Sequence, residues 1–264
     1  MKIALLGYGR MGKAIEKILV GRGHTAALKV DVDNRKDVTD KQLKGCDVAI
    51  DFSTAAVTVE NCKWCFDNGV PVVSGTTGWL AHWDELTDYC RVTKGTFFYA
   101  SNFSIGVNIF FQLNQELAKR MSKFTDYHAL VEEIHHVHKL DSPSGTAITL
   151  ADGITKNHSA YQSWKLVQKE GVSRDGDLSR LQGRDGDLRS KELEDGVLPI
   201  TAVREGEVPG IHSVTYKSPV DEISISHEAF SREGFALGAV LAAEFLKGKN
   251  NGVFGMEDLL KENL

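Results

Sequence analysis

The chain has 264 residues, 42% of them hydrophobic and 25% charged, with a formal net charge of -5, the usage of a globular protein with a substantial core. The acidic balance argues against a general nucleic-acid or anionic-membrane binder, whose surfaces select for excess Lys and Arg, so an anionic substrate has to be held by a local basic cluster. Four cysteines are too few for a disulfide framework, and the opening apolar run Ile3 to Leu6 is far shorter than a membrane span and ends in a glycine turn. Reduced thiols and a cytoplasmic location are the expectation.

The first hundred residues alternate short apolar runs with helical patterns. Lys2 to Leu6 reads as a buried strand, Lys13 to Val20 as a helix closed by Gly21 and Gly23, and Thr25 to Val32 as the second strand. Asp47 to Ile50 is a third strand, Ala55 to Phe66 a helix, and Val70 to Val73 and Phe97 to Tyr99 two further strands. This half is an α/β unit of the doubly wound, Rossmann type with a parallel sheet. After Gly106 come a long helix, Val107 to Met121, and a strand, Tyr127 to Ile134; a polar, glycine-rich segment then runs from Gly171 to Gly196. Val197 to Val203, His212 to Tyr216 and Glu222 to His227 read as antiparallel strands of a half-buried sheet. The closing helix, Phe235 to Leu246, is so apolar that it must be covered, most simply by the first domain. The expected organisation is a dinucleotide-binding domain of residues 1–105 and 230–264, and a second α+β domain of residues 106–229 with a mixed or antiparallel sheet.

Gly7-Tyr8-Gly9-Arg10-Met11-Gly12 follows the first strand and opens the first helix. In that setting glycines permit a tight turn and close approach of backbone to a pyrophosphate, and the helix N-terminus offers free amides. The second strand should end near a carboxylate that accepts from the adenosine ribose; Asp33 has the right spacing and Asp31 is the alternative. Arg35 and Arg10 could instead hold a 2'-phosphate, so NADH and NADPH both stay open.

The stretch from Glu132 to Ala147 is the most informative in the chain. His135, His136 and Lys139 put imidazoles beside a cationic anchor, suited to polar reduction of an anionic, nitrogen-containing substrate. Ser142-Pro143-Ser144-Gly145-Thr146 then introduces a helix, Ala147 to Ile154, whose hydroxyls and free amides form an anion seat. A zinc site built from His135, His136 and His138 is a rival reading, opposed by the ammonium of Lys139 among them.

Glu133 to Ala147 also matches every fixed position of the signature Glu-x-His-His-x-x-Lys-x-Asp-x-Pro-Ser-Gly-Thr-Ala, and the chain thereby resembles the dihydrodipicolinate reductase family. Further matches include Asp51-Phe52-Ser53, Gly75-Thr76-Thr77-Gly78, Asn102-Phe103-Ser104, Arg204, Gly210 and His212. The resemblance implies NAD(P)H-dependent reduction of a cyclic imine dicarboxylate, formed by loss of water from 4-hydroxy-tetrahydrodipicolinate, to tetrahydrodipicolinate in lysine and diaminopimelate biosynthesis. It implies that Gly7 to Gly12 and Asp33 hold the cofactor, that Gly75, Thr76 and Thr77 line its nicotinamide side, and that Ala100, Ser101, Asn102 and Phe103 complete the site. His135 would be the general acid or base, Lys139 a proton donor, and His136, Ser144, Gly145 and Thr146 the substrate seat; no metal is implied, and a homotetramer is. The chain departs from many family members in a first turn one residue tighter, in Ser101, and in Gly171 to Gly196, which fits a mobile loop or an assembly contact.

Cys62 and Cys65 suggest a redox pair, but they fall late in their helix, where packed structural thiols are the simpler reading. Two other functions compete: a dehydrogenase acting on another amino-acid derivative, and a non-catalytic dinucleotide sensor. The first leaves Glu133 to Ala147 unexplained, and the second has no need of both His135 and Lys139.

Overall fold

The computed structural model describes residues 1–167 and 195–262. All but the last two residues of the segment Gly171 to Gly196 lie outside that description. Two compact units emerge, one of Met1–Asn108 with Arg232–Leu264 and one of Ile109–Ser231.

The chain begins with β1 (Lys2–Leu6), α1 (Arg10–Gly21), β2 (Thr25–Val30), α2 (Asp40–Lys44), β3 (Val48–Asp51), α3 (Thr58–Asp67), β4 (Val72–Ser74), α4 (Trp83–Val92) and β5 (Thr96–Tyr99). It continues through α5 (Ile105–Met121), β6 (His128–His135), α6 (Gly145–Asn157), β7 (Ser163–Val167), β8 (Val197–Arg204), β9 (Ile211–Lys217) and β10 (Glu222–Glu228). The last elements are α7 (Glu233–Leu246), β11 (Gly252–Phe254) and α8 (Met256–Glu262).

The first unit holds a parallel sheet in the order β11-β5-β4-β3-β1-β2. Successive strand residues enter opposite cores, as the two-residue repeat of a strand covered on both faces requires. Ile3, Leu5, Val48, Ile50, Val73 and Phe98 join α1, α7 and α8 on one face. Ala4, Leu6, Ala49, Val72 and Phe97 join α3 and α4 on the other. The apolar closing helix, α7, packs on α1 and across β3, β4 and β5, which buries Ala236, Ala239, Val240, Ala243 and Leu246. Its assignment to the N-terminal unit follows from composition, because no polar face is left to meet water.

The second unit holds a mixed sheet, β10-β9-β6-β8-β7. β9 pairs antiparallel with β6 and β10, whereas β8 is parallel to both β6 and β7. The expectation of an antiparallel β8 is therefore corrected: alternation records which face is buried but not which way a strand runs. α6 lies in the connection between β6 and β7, which gives the chain the crossover a parallel arrangement needs. α2, α4, β7, β11 and α8 were not anticipated, being too short or too sparsely apolar to carry a clear period. One face of the sheet packs Val131, Leu198, Ile200, Val214 and Tyr216 on Phe110, Ala118, Leu150, Ala151 and Ile154. The alternation that buries Ala129 and Val131 on β6 continues through Glu133 and His135, so two polar side chains occupy positions that packing alone would make apolar.

Candidate active site

In the first unit the strand order reverses at β1 and β3, and ligands of such sheets bind beyond the carboxyl ends of the strands at that point. Gly7 to Gly12 stands there. Gly7 has φ of 90° and donates its amide to Val30 O at 2.8 Å, and a Cβ at this position would overlap the Phe52 carbonyl. The helix that follows has Gly9 as its N-cap, no side chain capping it and no acidic residue in its first turn. Its free amides and the open space over Gly9 fit a pyrophosphate. Tyr8 hydrogen-bonds Glu16, Arg10 is exposed and Met11 is half-buried.

Beyond β2, Asp31 follows directly on the residue that anchors Gly7, and its Oδ1 accepts the Val32 amide at 2.9 Å. Asp33 lies two residues further along, exposed. Arg35 is stacked over the Trp64 ring at 4.0 Å, a use for its guanidinium other than phosphate binding. Gly75, Thr76 and Thr77 follow β4, and Ala100, Ser101, Asn102 and Phe103 follow β5. All the cofactor residues expected from the sequence thus come from the carboxyl-end loops of one sheet. Cys62 and Cys65 are buried free thiols, held as neutral thiols first by burial and then by the nearby Asp51 carboxylate.

In the second unit strand register assembles the remaining residues. Glu133 on β6 sits opposite His212 on β9, and His135 sits opposite Arg204 on β8. The fully buried Glu133 carboxylate accepts the Ser144 amide at 3.1 and 3.0 Å and Arg204 Nη2 at 3.1 Å. Its Oε2 lies 3.5 Å from His135 Nδ1 and 3.7 Å from His212 Nε2. Ser144 caps α6 by accepting the Ala147 amide, and its hydroxyl lies 3.1 Å from His212 Nε2. The two imidazoles meet edge to face with centroids 4.9 Å apart. Gly145 and Thr146 form the first turn of α6, so the seat read from the sequence is tied through Ser144 to the strand that carries His135.

His136 is fixed by its amide, which donates to Val208 O at 2.8 Å, and Lys139 Nζ reaches both oxygens of Asp141 at 2.8 Å. Arg204 Nη2 also donates to the Asp141 carbonyl at 2.6 Å, which holds the loop after Lys139 to the sheet. Burial opposes the charge on Glu133, but the neighbouring His212 imidazole, hydrogen bonding by Ser144 and the nearness of His135 overcome it and hold the carboxyl at about 2. Burial pushes His135 down to about 4; Glu133 opposes this, and the charges of His212, Lys139 and Arg204 add to it. At neutral pH this imidazole is a neutral base whose proton affinity rises when negative charge arrives beside it.

Glu133, His135 and His212 offer three donor atoms within 4.8 Å of one another, a grouping that could take a cation. Arg204 already supplies the countercharge to Glu133, and Lys139 adds more positive charge nearby. The His136 and His138 rings lie near each other, with centroids 6.1 Å apart, and the exposed His138 pairs with Glu207, but among the described residues the donor atoms that gather around His135 are those of Glu133 and His212, so the zinc set considered from the sequence does not converge. Sequence reasoning gave no role to Glu133, Arg204 or His212. The available signal was the polar pair at buried positions of a strand that is otherwise apolar on that face.

The family model for the N-terminus of dihydrodipicolinate reductase matches residues 1–103, and that for its C-terminus matches residues 106–260. A protein of Christiangramia forsetii named 4-hydroxy-tetrahydrodipicolinate reductase is 47% identical over 99% of this chain and 98% of its own. One of the same name from Desulfovibrio desulfuricans is 32% identical over 95% of each chain. The dipicolinate-bound dihydrodipicolinate reductase of Paenisporosarcina sp. TG-14 superimposes with a TM-score of 0.71 over 98% of each chain, at 22% identity, which speaks to the fold. An amine dehydrogenase from Mycobacterium smegmatis, at 10% identity and a TM-score of 0.56, shares only the general architecture. With both halves of the family matched along nearly the whole length, the chain belongs to the dihydrodipicolinate reductase family.

Proposed function

We propose that this protein uses NADH or NADPH to reduce the dihydrodipicolinate formed from 4-hydroxy-tetrahydrodipicolinate, yielding tetrahydrodipicolinate in lysine and diaminopimelate biosynthesis. The observation that carries the reading is the buried network of Glu133, His135, Arg204 and His212, bonded to the N-cap of α6 and followed by Lys139. A dehydrogenase for an unrelated substrate and a dinucleotide sensor would each leave that network without a purpose.

Gly7 to Gly12 would hold the pyrophosphate, with Asp31 or Asp33 at the ribose and Gly75 to Thr77 and Ala100 to Phe103 around the nicotinamide. Reduced nicotinamide, when bound, supplies the hydride. The second unit supplies charge and protons. Free amides at the α6 N-terminus, the Thr146 hydroxyl and His136 seat the carboxylates. Lys139 offers a proton to the developing negative charge on the substrate. His135 takes up or returns a proton as the precursor loses water and the reduced product forms.

A homotetramer in the cytoplasm belongs to the same proposal. No helix among the described residues is long and apolar enough to cross a membrane. β10 is an edge strand of its sheet, with Val220 exposed just before it and Ile223 exposed on it, which gives a second copy a surface to meet. Light scattering tests this: a monomeric mass at micromolar concentration rejects the assembly.

The central test is oxidation of NADH and of NADPH, followed by absorbance, with enzymatically generated 4-hydroxy-tetrahydrodipicolinate. Oxidation with neither rejects the function. His135→Ala is expected to lower turnover by roughly 100-fold or more while leaving dinucleotide affinity nearly unchanged, as loss of a proton-transfer group does. Parent turnover in that variant removes His135 from the chemistry.

A further inference from the structure

The first unit contains a buried carboxylate to which the proposed mechanism gives no part. Asp51, the last residue of β3, is fully buried. Its Oδ1 accepts Ser53 Oγ at 2.7 Å and Asn61 Nδ2 at 2.9 Å. Its Oδ2 accepts Thr76 Oγ1 at 2.9 Å, Ser74 Oγ at 3.3 Å and the Thr58 hydroxyl. Among the described residues no Lys, Arg or His hydrogen-bonds or ion-pairs with it. Neutral donors from the loop after β3, from α3 and from the end of β4 satisfy the charge, so it survives burial only while those segments keep their places.

Thr76 is the donor that matters for function. Its hydroxyl gives its proton to Asp51 and accepts the Ser53 amide at 3.0 Å, and Thr76 is 6% exposed, so this group faces inward rather than toward a ligand. On the opposite side the Thr76 carbonyl accepts Trp79 Nε1 at 2.7 Å. Gly75 beside it is pressed against the Phe52 ring so closely that a Cβ would overlap the ring. The loop after β4 is therefore fixed by the side chains of Asp51, Phe52 and Trp79. The dinucleotide turn is held differently: Gly7 is secured by its own amide on Val30 O, and Phe52, which it abuts, by an amide on Leu6 O, both at 2.8 Å.

We infer that Asp51 is a positioning residue for the nicotinamide half of the dinucleotide, acting through Thr76 without touching the cofactor. The inference rests on the reading that Gly75 to Thr77 flank the nicotinamide. Asp51 sets the height and tilt of that loop directly, while the half of the cofactor at the glycine turn rests chiefly on main-chain bonds and meets Asp51 only by way of Ser53, whose Cα backs Gly7. Asp51→Asn keeps the shape but replaces one acceptor oxygen by an NH2 group, which would face hydroxyl donors and push the loop outward.

The test compares NADH with ADP-ribose, which lacks the nicotinamide, by calorimetry on the full-length parent and on Asp51→Asn. The variant is expected to bind NADH about tenfold more weakly, the scale of losing about one net hydrogen bond to the nicotinamide half. ADP-ribose affinity should stay within about twofold on the same argument that its contacts are left in place. Thr76→Val, which removes the inward hydroxyl, should reproduce the selective loss, and adding it to Asp51→Asn should weaken NADH little further, because the Thr76–Asp51 bond is the link that both changes break. Unaltered NADH affinity in Asp51→Asn, or equal loss of both ligands, overturns the inference. If Asp51→Asn does not fold, Thr76→Val decides alone: selective loss supports the inference and unchanged binding overturns it. A parent protein that binds neither ligand instead overturns the dinucleotide reading.

Discussion

Asp51 in the first unit and Glu133 in the second are both fully buried carboxylates at or near the end of a strand, yet their surroundings differ in kind. Asp51 is satisfied by three hydroxyls of flanking loops and strands, one helix hydroxyl and one amide, all neutral. Glu133 has a guanidinium and two imidazoles within 4 Å as well as a backbone amide. Neutral donors fix geometry and are indifferent to pH over the ordinary range. Charged and titrating partners make a carboxylate respond to whatever charge enters or leaves. The first arrangement suits a loop that must stay in one place, and the second suits proton transfer.

The sharpest way to break this contrast is to remove each carboxylate and compare the costs. Glu133→Ala takes the carboxylate from the half-buried Arg204, which keeps carbonyl acceptors, and from the Ser144 amide; loss of one member of a buried pair costs up to about 3–5 kcal/mol, and the lower end is expected here. Asp51→Asn strands hydroxyls rather than a cation and is expected to cost about 1–3 kcal/mol. Urea denaturation of both variants measures the difference; equal costs would mean that the charged partners of Glu133 confer nothing distinctive. Glu133→Leu combined with Arg204→Met should be more stable than Glu133→Ala, since it removes the orphaned cation along with the carboxylate. Turnover should remain low in the combined variant. Recovered stability with recovered activity would show that the network serves folding alone.

How far this contrast could be read in advance follows from its parts. The parallel sheet, the glycine turn and the apolar closing helix were legible because each rests on a local repeat or on composition. The histidine-lysine segment was legible as a motif. Arg204 and His212 as partners of Glu133 were not, because they are 71 and 79 positions away and meet it only through the register of β6 with β8 and β9. The donors of Asp51 lie nearer, between Ser53 and Thr76, but their convergence depends on the pairing of β3 with β4. The direction of β8 was misread for the same reason: strand periodicity carries no information about pairing partners.

pH dependence sharpens the comparison next. In the folded protein His135 titrates at about 4 against an ordinary 6.5, so the unfolded chain binds more protons in that interval. Stability should therefore fall as pH is lowered from about 6.5 toward 4. Glu133 adds a second loss as pH drops from its ordinary 4.5 toward about 2. Urea midpoints between pH 7 and 4 should show the first slope in the parent and a flatter one in His135→Gln. If the proposed function holds, pyridine-2,6-dicarboxylate, a flat analogue of the proposed substrate, should bind together with protons at pH 6, detectable as a dependence of the calorimetric enthalpy on buffer ionisation. Absence of both effects would detach His135 from the charged network.

The smallest effect is expected in the neighbourhood of Asp51. Cys62 and Cys65 are fully buried and their thiols are raised well above the ordinary value, by burial first and by the Asp51 carboxylate second. Thiolate is the reactive form, so both should resist iodoacetamide at pH 8 in the native protein for as long as the fold stays closed. The Asn61 amide binds Asp51 one residue before Cys62, so opening that would expose either thiol has to disturb the helix that supplies two of the carboxylate's donors. Mass spectrometry after labelling reads the two sites directly. Labelling of Cys62 in the native parent, with parallel loss of NADH affinity, would show that the neutral cage around Asp51 opens readily, and the division between a fixed carboxylate and a responsive one would fail on its first member.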